Sequence, residues 1–143
     1  MTTASELYKG VMMDHYHAPR NQGSPGSDQV TARVHNPLCG DDLELGVTLA
    51  DERIQDIRFR ARGCSICIAS GSMMTEVVSG RQVAEALDLD RLMNEWFSGE
   101  ATEPPSGLPE PLPALGPVRH YPSRTRCVLL AWEALEAVLD RGD

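Results

Sequence analysis

No stretch of the 143-residue sequence approaches the ~20 consecutive apolar residues that a helix needs to cross a bilayer, which excludes a membrane span. The opening MTTASELYKG lacks a basic segment followed by an apolar one, so no secretory signal is expected and the cytoplasm is the expected location. Positive charge is also scarce: thirteen Lys and Arg stand against twenty-one Asp and Glu, a formal charge of -8. Nucleic-acid binding draws most of its strength from clustered cations, so a protein or small-molecule partner is expected instead. Only four cysteines are present, Cys39, Cys64, Cys67 and Cys127. In a reducing compartment such a set serves as metal ligands, reactive thiols or core residues rather than disulfide partners. Staples are not needed, because a domain of this length buries roughly two thirds of its unfolded surface. Internal repeats and linkers are missing too, leaving a single domain over residues 1–143.

What is present patterns into an α+β domain. Thr3 and Glu6 have capping-box spacing, and Leu7, Val11, Met12 and His15 follow at helical intervals until Pro19, so a first helix is expected to end near Ala18. Val30, Ala32 and Val34 alternate with polar residues, as do Leu43, Leu45, Val47 and Leu49, and then Ile57, Phe59 and Ala61. These predict a small three-stranded antiparallel sheet, with helices packed on one face. CSICIASGSMMTEVVSG reads as a buried helix ended by Gly80, and RQVAEALDLDRLMNEWF as another. A last helix, capped by Ser123, should run through Leu129, Leu130, Trp132, Leu135 and Val138. Before it, the Pro- and Gly-rich segment SGEATEPPSGLPEPLPALGP, at about 98–117, reads as an exposed and poorly packed insertion loop.

The cysteines fall at element ends on this reading: Cys39 in the first strand-to-strand loop, Cys64 where the third strand meets a helix, Cys127 in the first turns of the last helix. Unpaired N–H groups at a helix start stabilise a thiolate and pull its pKa down. In NPLCGDDLE, however, Cys39 stands beside two aspartates, which oppose a thiolate unless a cation turns the acids into co-ligands. Cys39, Asp41, Cys64 and Cys127 together make an S3O set that suits tetrahedral zinc or an iron–sulfur cluster. Cys64-x-x-Cys67 has the spacing of a redox motif or half a zinc site, but Cys67 also falls on the apolar stripe of its helix, where a buried structural thiol is expected. His15 and His17 do not share a helix face and read as ordinary histidines; His35 and His120 lie nearer the cysteine loops as spare ligands. Arg124 and Arg126 place positive charge against the dipole at the start of the last helix, a local rule-break of the kind found at functional sites. Arg58, Arg60 and Arg62 line the wet face of the third strand.

Four segments, LYKGVMMDHYHAPRNQG, NPLCGDDLEL, RGCSICIASGSMMTE and YPSRTRCVLLAWEALE, resemble in order and spacing the NifU-like/IscU-like family of iron–sulfur cluster biogenesis, most closely its SufU branch. Cys39 and Asp41 match the family's C-G-D, Cys64 its G-C-S-I, and Cys127 the cysteine opening the last helix. Arg126 stands where the classical scaffolds carry a histidine, and the insertion fits the SufU type. The resemblance implies a zinc protein with ligands Cys39, Asp41, Cys64 and Cys127. It would accept persulfide sulfur from a pyridoxal-phosphate cysteine desulfurase of the SufS type and pass it towards the Suf cluster-assembly proteins, as a sulfurtransferase-type acceptor and desulfurase activator. Arg124 matches an arginine implicated in engaging the desulfurase. Cys39 is the expected acceptor, since its loop can move while helices anchor the other two thiols. The alternative is a scaffold that assembles a [2Fe–2S] cluster on the same residues; a third reading is a structural zinc domain that carries no sulfur. Cys67 departs from the pattern, where relatives carry serine.

Overall fold

The computed structural model describes residues 4–37, 40–99 and 103–142. Helix α1 spans Ala4–His17, strands β1, β2 and β3 span Val30–Asn36, Asp41–Ala50 and Arg53–Arg62, and helices α2 and α3 span Ser65–Val78 and Val83–Ser98. A 3-10 helix over Leu112–His120 then leads into α4, Pro122–Gly142. No helix among the described residues is long and apolar enough to cross a membrane.

The strands form an antiparallel meander in the order β1-β2-β3. Its register follows from the alternation in sequence: Leu43, Leu45 and Val47 pair with Ala61, Phe59 and Ile57, so one face of the sheet is continuously apolar. Asp51 and Glu52, with φ of 54° and 63°, make the tight β2–β3 turn in the left-handed region that a two-residue hairpin favours. The opposite face is polar. There Arg33 binds Asp42 and Arg60 binds Glu44 across strands, while Arg58, Arg60 and Arg62 are exposed as expected.

Helices α2 and α4 cover the apolar face, α1 lies on α2, and α3 on α4. Helix α2 comes close because Gly71 faces Phe59: a Cβ there would meet the ring at 2.8 Å. Met73, Met74, Val78, Trp132, Leu135 and Leu139 are fully buried between the helices and sheet. The first helix ends where Pro19 disfavours helical backbone at Ala18; Thr3, its expected cap, lies outside the described residues. Buried Ser72 ties this helix down, accepting from the Arg20 N–H at 2.9 Å and sharing a hydrogen bond with His15 Nδ1 at 2.7 Å. His15 is therefore a core histidine, while His17 is exposed.

Two expectations need correction. Helix α4 begins at Pro122, one residue before the expected cap Ser123; proline is suited to a first turn because the N–H it lacks has no helical partner there. The Pro/Gly-rich segment is also not poorly packed throughout. In its second half Leu112, Pro113, Ala114 and Leu115 are buried, as is Val118 directly after it. Arg119, just beyond, lies 5.3 Å from the centre of the Trp96 ring and donates to the Trp96 carbonyl at 2.9 Å. Leu112 and Leu115, one 3-10 turn apart, carry an apolar stripe that the proline, glycine and glutamate around them obscure in composition.

Candidate metal centre

Three elements deliver one donor each to a common point. Asp41 opens β2, Cys64 is the N-cap residue of α2, and Cys127 lies in the second turn of α4. One ligand atom from each lies within 4.8 Å of the others, with Asp41 and Cys127 fully buried and Cys64 partly so. Cys39, two residues before Asp41, lies outside the described residues.

The two aspartates of GDD part company because successive side chains of a strand point to opposite faces. Asp42 turns outwards, where Arg33 grips it with two hydrogen bonds of 3.0 and 2.5 Å and holds its carboxyl below the usual range. Asp41 turns inwards. Its Oδ1 accepts the Cys64 N–H at 3.0 Å, fixing strand to helix, whereas its Oδ2 is buried without a hydrogen-bond partner among the described residues. A buried carboxylate oxygen left without a donor is costly, and a cation between it and the two thiols is the natural compensation. Two sulfurs and one oxygen converging this closely fit three of the four positions of a tetrahedral zinc site.

Gly63 makes the inward turn possible. Its φ is 150°, a region suited to glycine, and any Cβ there would collide with Asp41 Oδ1. This supporting role was missed in the sequence, although a glycine between a strand of alternating arginines and a helix-starting cysteine was its signal.

The Cys127 thiol is less acidic than its position near a helix start suggested. Burial first, then contact with the Asp41 carboxylate and the Cys64 thiol, pushes the Cys127 thiol upwards. Burial, followed by the charges of Asp41 and Cys64, pushes Cys67 up to about 12. Desolvation deep in α4 outweighs the helix dipole for Cys127, so the expectation of a lowered pKa fails there; a bound cation is what deprotonates such a thiol.

The remaining candidates sort by location. Cys67 is fully buried, as expected, and is not one of the three converging donors. His35 and His120 are exposed and are not members of the group either. Arg124 is exposed one turn before Cys127 on the same helix, with its N–H bound to the Tyr121 carbonyl at 2.8 Å. Arg126 forms a half-exposed ion pair with Glu133 at 3.3 Å.

Residues 7–106 match the NifU-like N terminal domain family, a span that includes Cys39, Asp41 and Cys64. The zinc-dependent sulfurtransferase SufU of Bacillus subtilis is 36% identical over 91% of this chain and 87% of its own. The iron-sulfur cluster assembly scaffold protein IscU of Streptococcus pyogenes is 36% identical over 99% of this chain and 88% of its own. Among solved structures, a putative iron-sulfur cluster assembly scaffold protein for the SUF system from Fervidobacterium islandicum superposes with a TM-score of 0.83 at 28% identity, covering 90% of this chain and 93% of that one. The chain belongs to the NifU-like N-terminal domain family.

Proposed function

We propose that this protein is a zinc-dependent sulfur-transfer protein of iron–sulfur cluster assembly, working in the cytoplasm as a single domain with an insertion at about 98–117. The observation that carries the reading is the buried Asp41 carboxylate, which converges with the Cys64 and Cys127 thiols and whose Oδ2 has no hydrogen-bond partner among the described residues. The name of the Bacillus subtilis relative supports zinc and sulfur transfer. Asp41, Cys64 and Cys127 hold the metal, and Cys39 supplies the fourth position. When bound, zinc keeps its thiol ligands deprotonated at neutral pH and covers the buried carboxylate.

Cys39 accepts the sulfur. Its partner is a pyridoxal-phosphate cysteine desulfurase of the SufS type, with Suf cluster-assembly proteins downstream. The Cys39 thiolate attacks the outer sulfur of the partner's cysteine persulfide; the bond between that sulfur and the partner's cysteine breaks, and the partner's thiolate leaves. The other residues hold still during this step: Asp41 is tied to the helix start at Cys64, and Cys127 is locked in the core. Arg124, exposed beside Cys127, meets a carboxylate of the desulfurase.

The test is persulfide trapping after incubation with a SufS-type desulfurase and cysteine. A persulfide on the Cys39 peptide, lost in Cys39→Ala while the fold persists, is the expected result; undiminished labelling of the variant would overturn the assignment. The second reading, a scaffold that assembles a [2Fe–2S] cluster on the same four residues, draws support from the equally similar Streptococcus pyogenes relative. It predicts cluster-bound iron and sulfide that transfer to an acceptor.

A further inference from the structure

Cys64 and Cys127 lie far apart in the sequence, yet their sulfurs are within 4.8 Å of each other. Contacts between protein groups hold them there. The Cys64 N–H donates to Asp41 Oδ1 at 3.0 Å, and Ser70, farther along α2, donates to the carbonyl of Val128, the neighbour of Cys127, at 2.7 Å. Helices α2 and α4 are packed together along this contact. Both cysteines carry thiols, but they differ in access: Cys64 is partly exposed, whereas Cys127 is fully buried. A disulfide sets its sulfurs about 2.05 Å apart, so closing one here takes an approach of under about 3 Å.

We infer that Cys64 and Cys127 are an oxidation-sensitive pair, in which a hydroperoxide is attacked by Cys64 and Cys127 closes the disulfide. Access assigns the roles. The Cys64 sulfur takes an oxygen from hydrogen peroxide, giving a sulfenic acid and releasing water; the Cys127 sulfur then displaces that hydroxyl, which leaves as a second water with the Cys127 proton. The peroxide gains two electrons and each sulfur loses one. The new bond joins the start of α2 to the second turn of α4. The pairing rests on the positions of the two thiols, and its consequence rests on the metal reading proposed above: with two of its donors consumed, the site cannot hold a metal until a thiol reductant reopens it.

Chelator-treated protein exposed to hydrogen peroxide, alkylated and digested with trypsin without reduction reads the pairing directly. Cleavage after Arg62, Arg81 and Arg126 puts Cys64 and Cys67 on one peptide and Cys127 at the head of another, with Cys39 on a third. The expected product links the first two peptides, forms equally in Cys67→Ser and Cys39→Ser, and is lost in Cys64→Ser. In Cys127→Ala, Cys64 should stop at the sulfenic acid and be trapped by dimedone; circular dichroism checks the fold, and the map of the unsubstituted protein decides even where a variant unfolds. A link from Cys39 or Cys67 in place of this one, or oxidation to sulfinic acid with no link, overturns the inference. Zinc at ten times its dissociation constant should slow the link by about tenfold, and peroxide should release zinc in step with it. Equal rates with and without saturating zinc would overturn the exclusion of metal by the disulfide. The link formed in a protein that binds no zinc would contradict the metal reading while bearing out the pairing.

Discussion

Asp41→Asn should have opposite effects on the metal-free and metal-loaded protein. The amide keeps an oxygen to accept the Cys64 N–H, a bond now 3.0 Å long, so the strand-to-helix tie survives. What disappears is the negative charge behind the buried, unpartnered Oδ2. An unsatisfied buried polar group costs about 1–3 kcal/mol, and more when charged; the amide nitrogen that replaces Oδ2 keeps the neutral cost, so the metal-free variant should gain the excess due to the charge. With metal the sign should reverse, because one of the four proposed anionic ligands is gone. A hundredfold loss of affinity removes about 2.7 kcal/mol of metal-induced stabilisation at saturating zinc. Urea unfolding with a chelator present, and again with zinc in excess, separates the two. The midpoint of the variant should lie above that of the parent in the first series and below it in the second. A variant destabilised without metal, and stabilised by zinc as strongly as the parent, would refute the reasoning that Asp41 is a carboxylate waiting for a cation.

Other consequences follow from particular contacts. Asp90, almost fully buried between α3 and α4, has its carboxyl pushed up to about 7 by burial first and then by Glu136. A raised carboxyl binds its proton more tightly in the folded state, so stability should fall as pH rises from about 4 to about 7, by up to about 1.4 kcal/mol per pH unit; urea midpoints of Asp90→Asn should lack that slope. Ser72→Ala leaves the Arg20 N–H and the His15 ring without their buried partner and should cost about 1–3 kcal/mol, with hydrogen exchange rising first in α1. Leu115→Ala should cost about 2–5 kcal/mol in urea unfolding, because Leu115 is fully buried; a change near zero would mean that the segment is an unpacked excursion after all.

The sheet was legible because its alternation is nearly unbroken: a residue's partner across β2 and β3 can be read by matching apolar positions, and Leu45 against Phe59 is where the structure places them. The candidate metal centre was legible as residue types, since a thiol beside carboxylates makes little sense without a cation, and Asp41, Cys64 and Cys127, three of the four residues named, converge. Less visible was anything that depends on depth. Composition described the segment around Leu112 and Leu115 as loop-like, yet a single 3-10 turn suffices to bury both. Position at a helix start suggested an acidic thiol at Cys127, but the second turn of α4 is already in the core, where desolvation wins. The division of labour between Asp41 and Asp42 follows from strand geometry once the start of β2 is known, and that boundary was the missing piece.

A zinc site and a cluster scaffold differ in what the purified protein carries. Elemental analysis of protein purified both with and without air, together with the visible spectrum, tests the zinc reading most directly. About one zinc per chain and no cluster absorbance is the expected result; stoichiometric iron and acid-labile sulfide in the protein purified without air would contradict it and put the scaffold in its place.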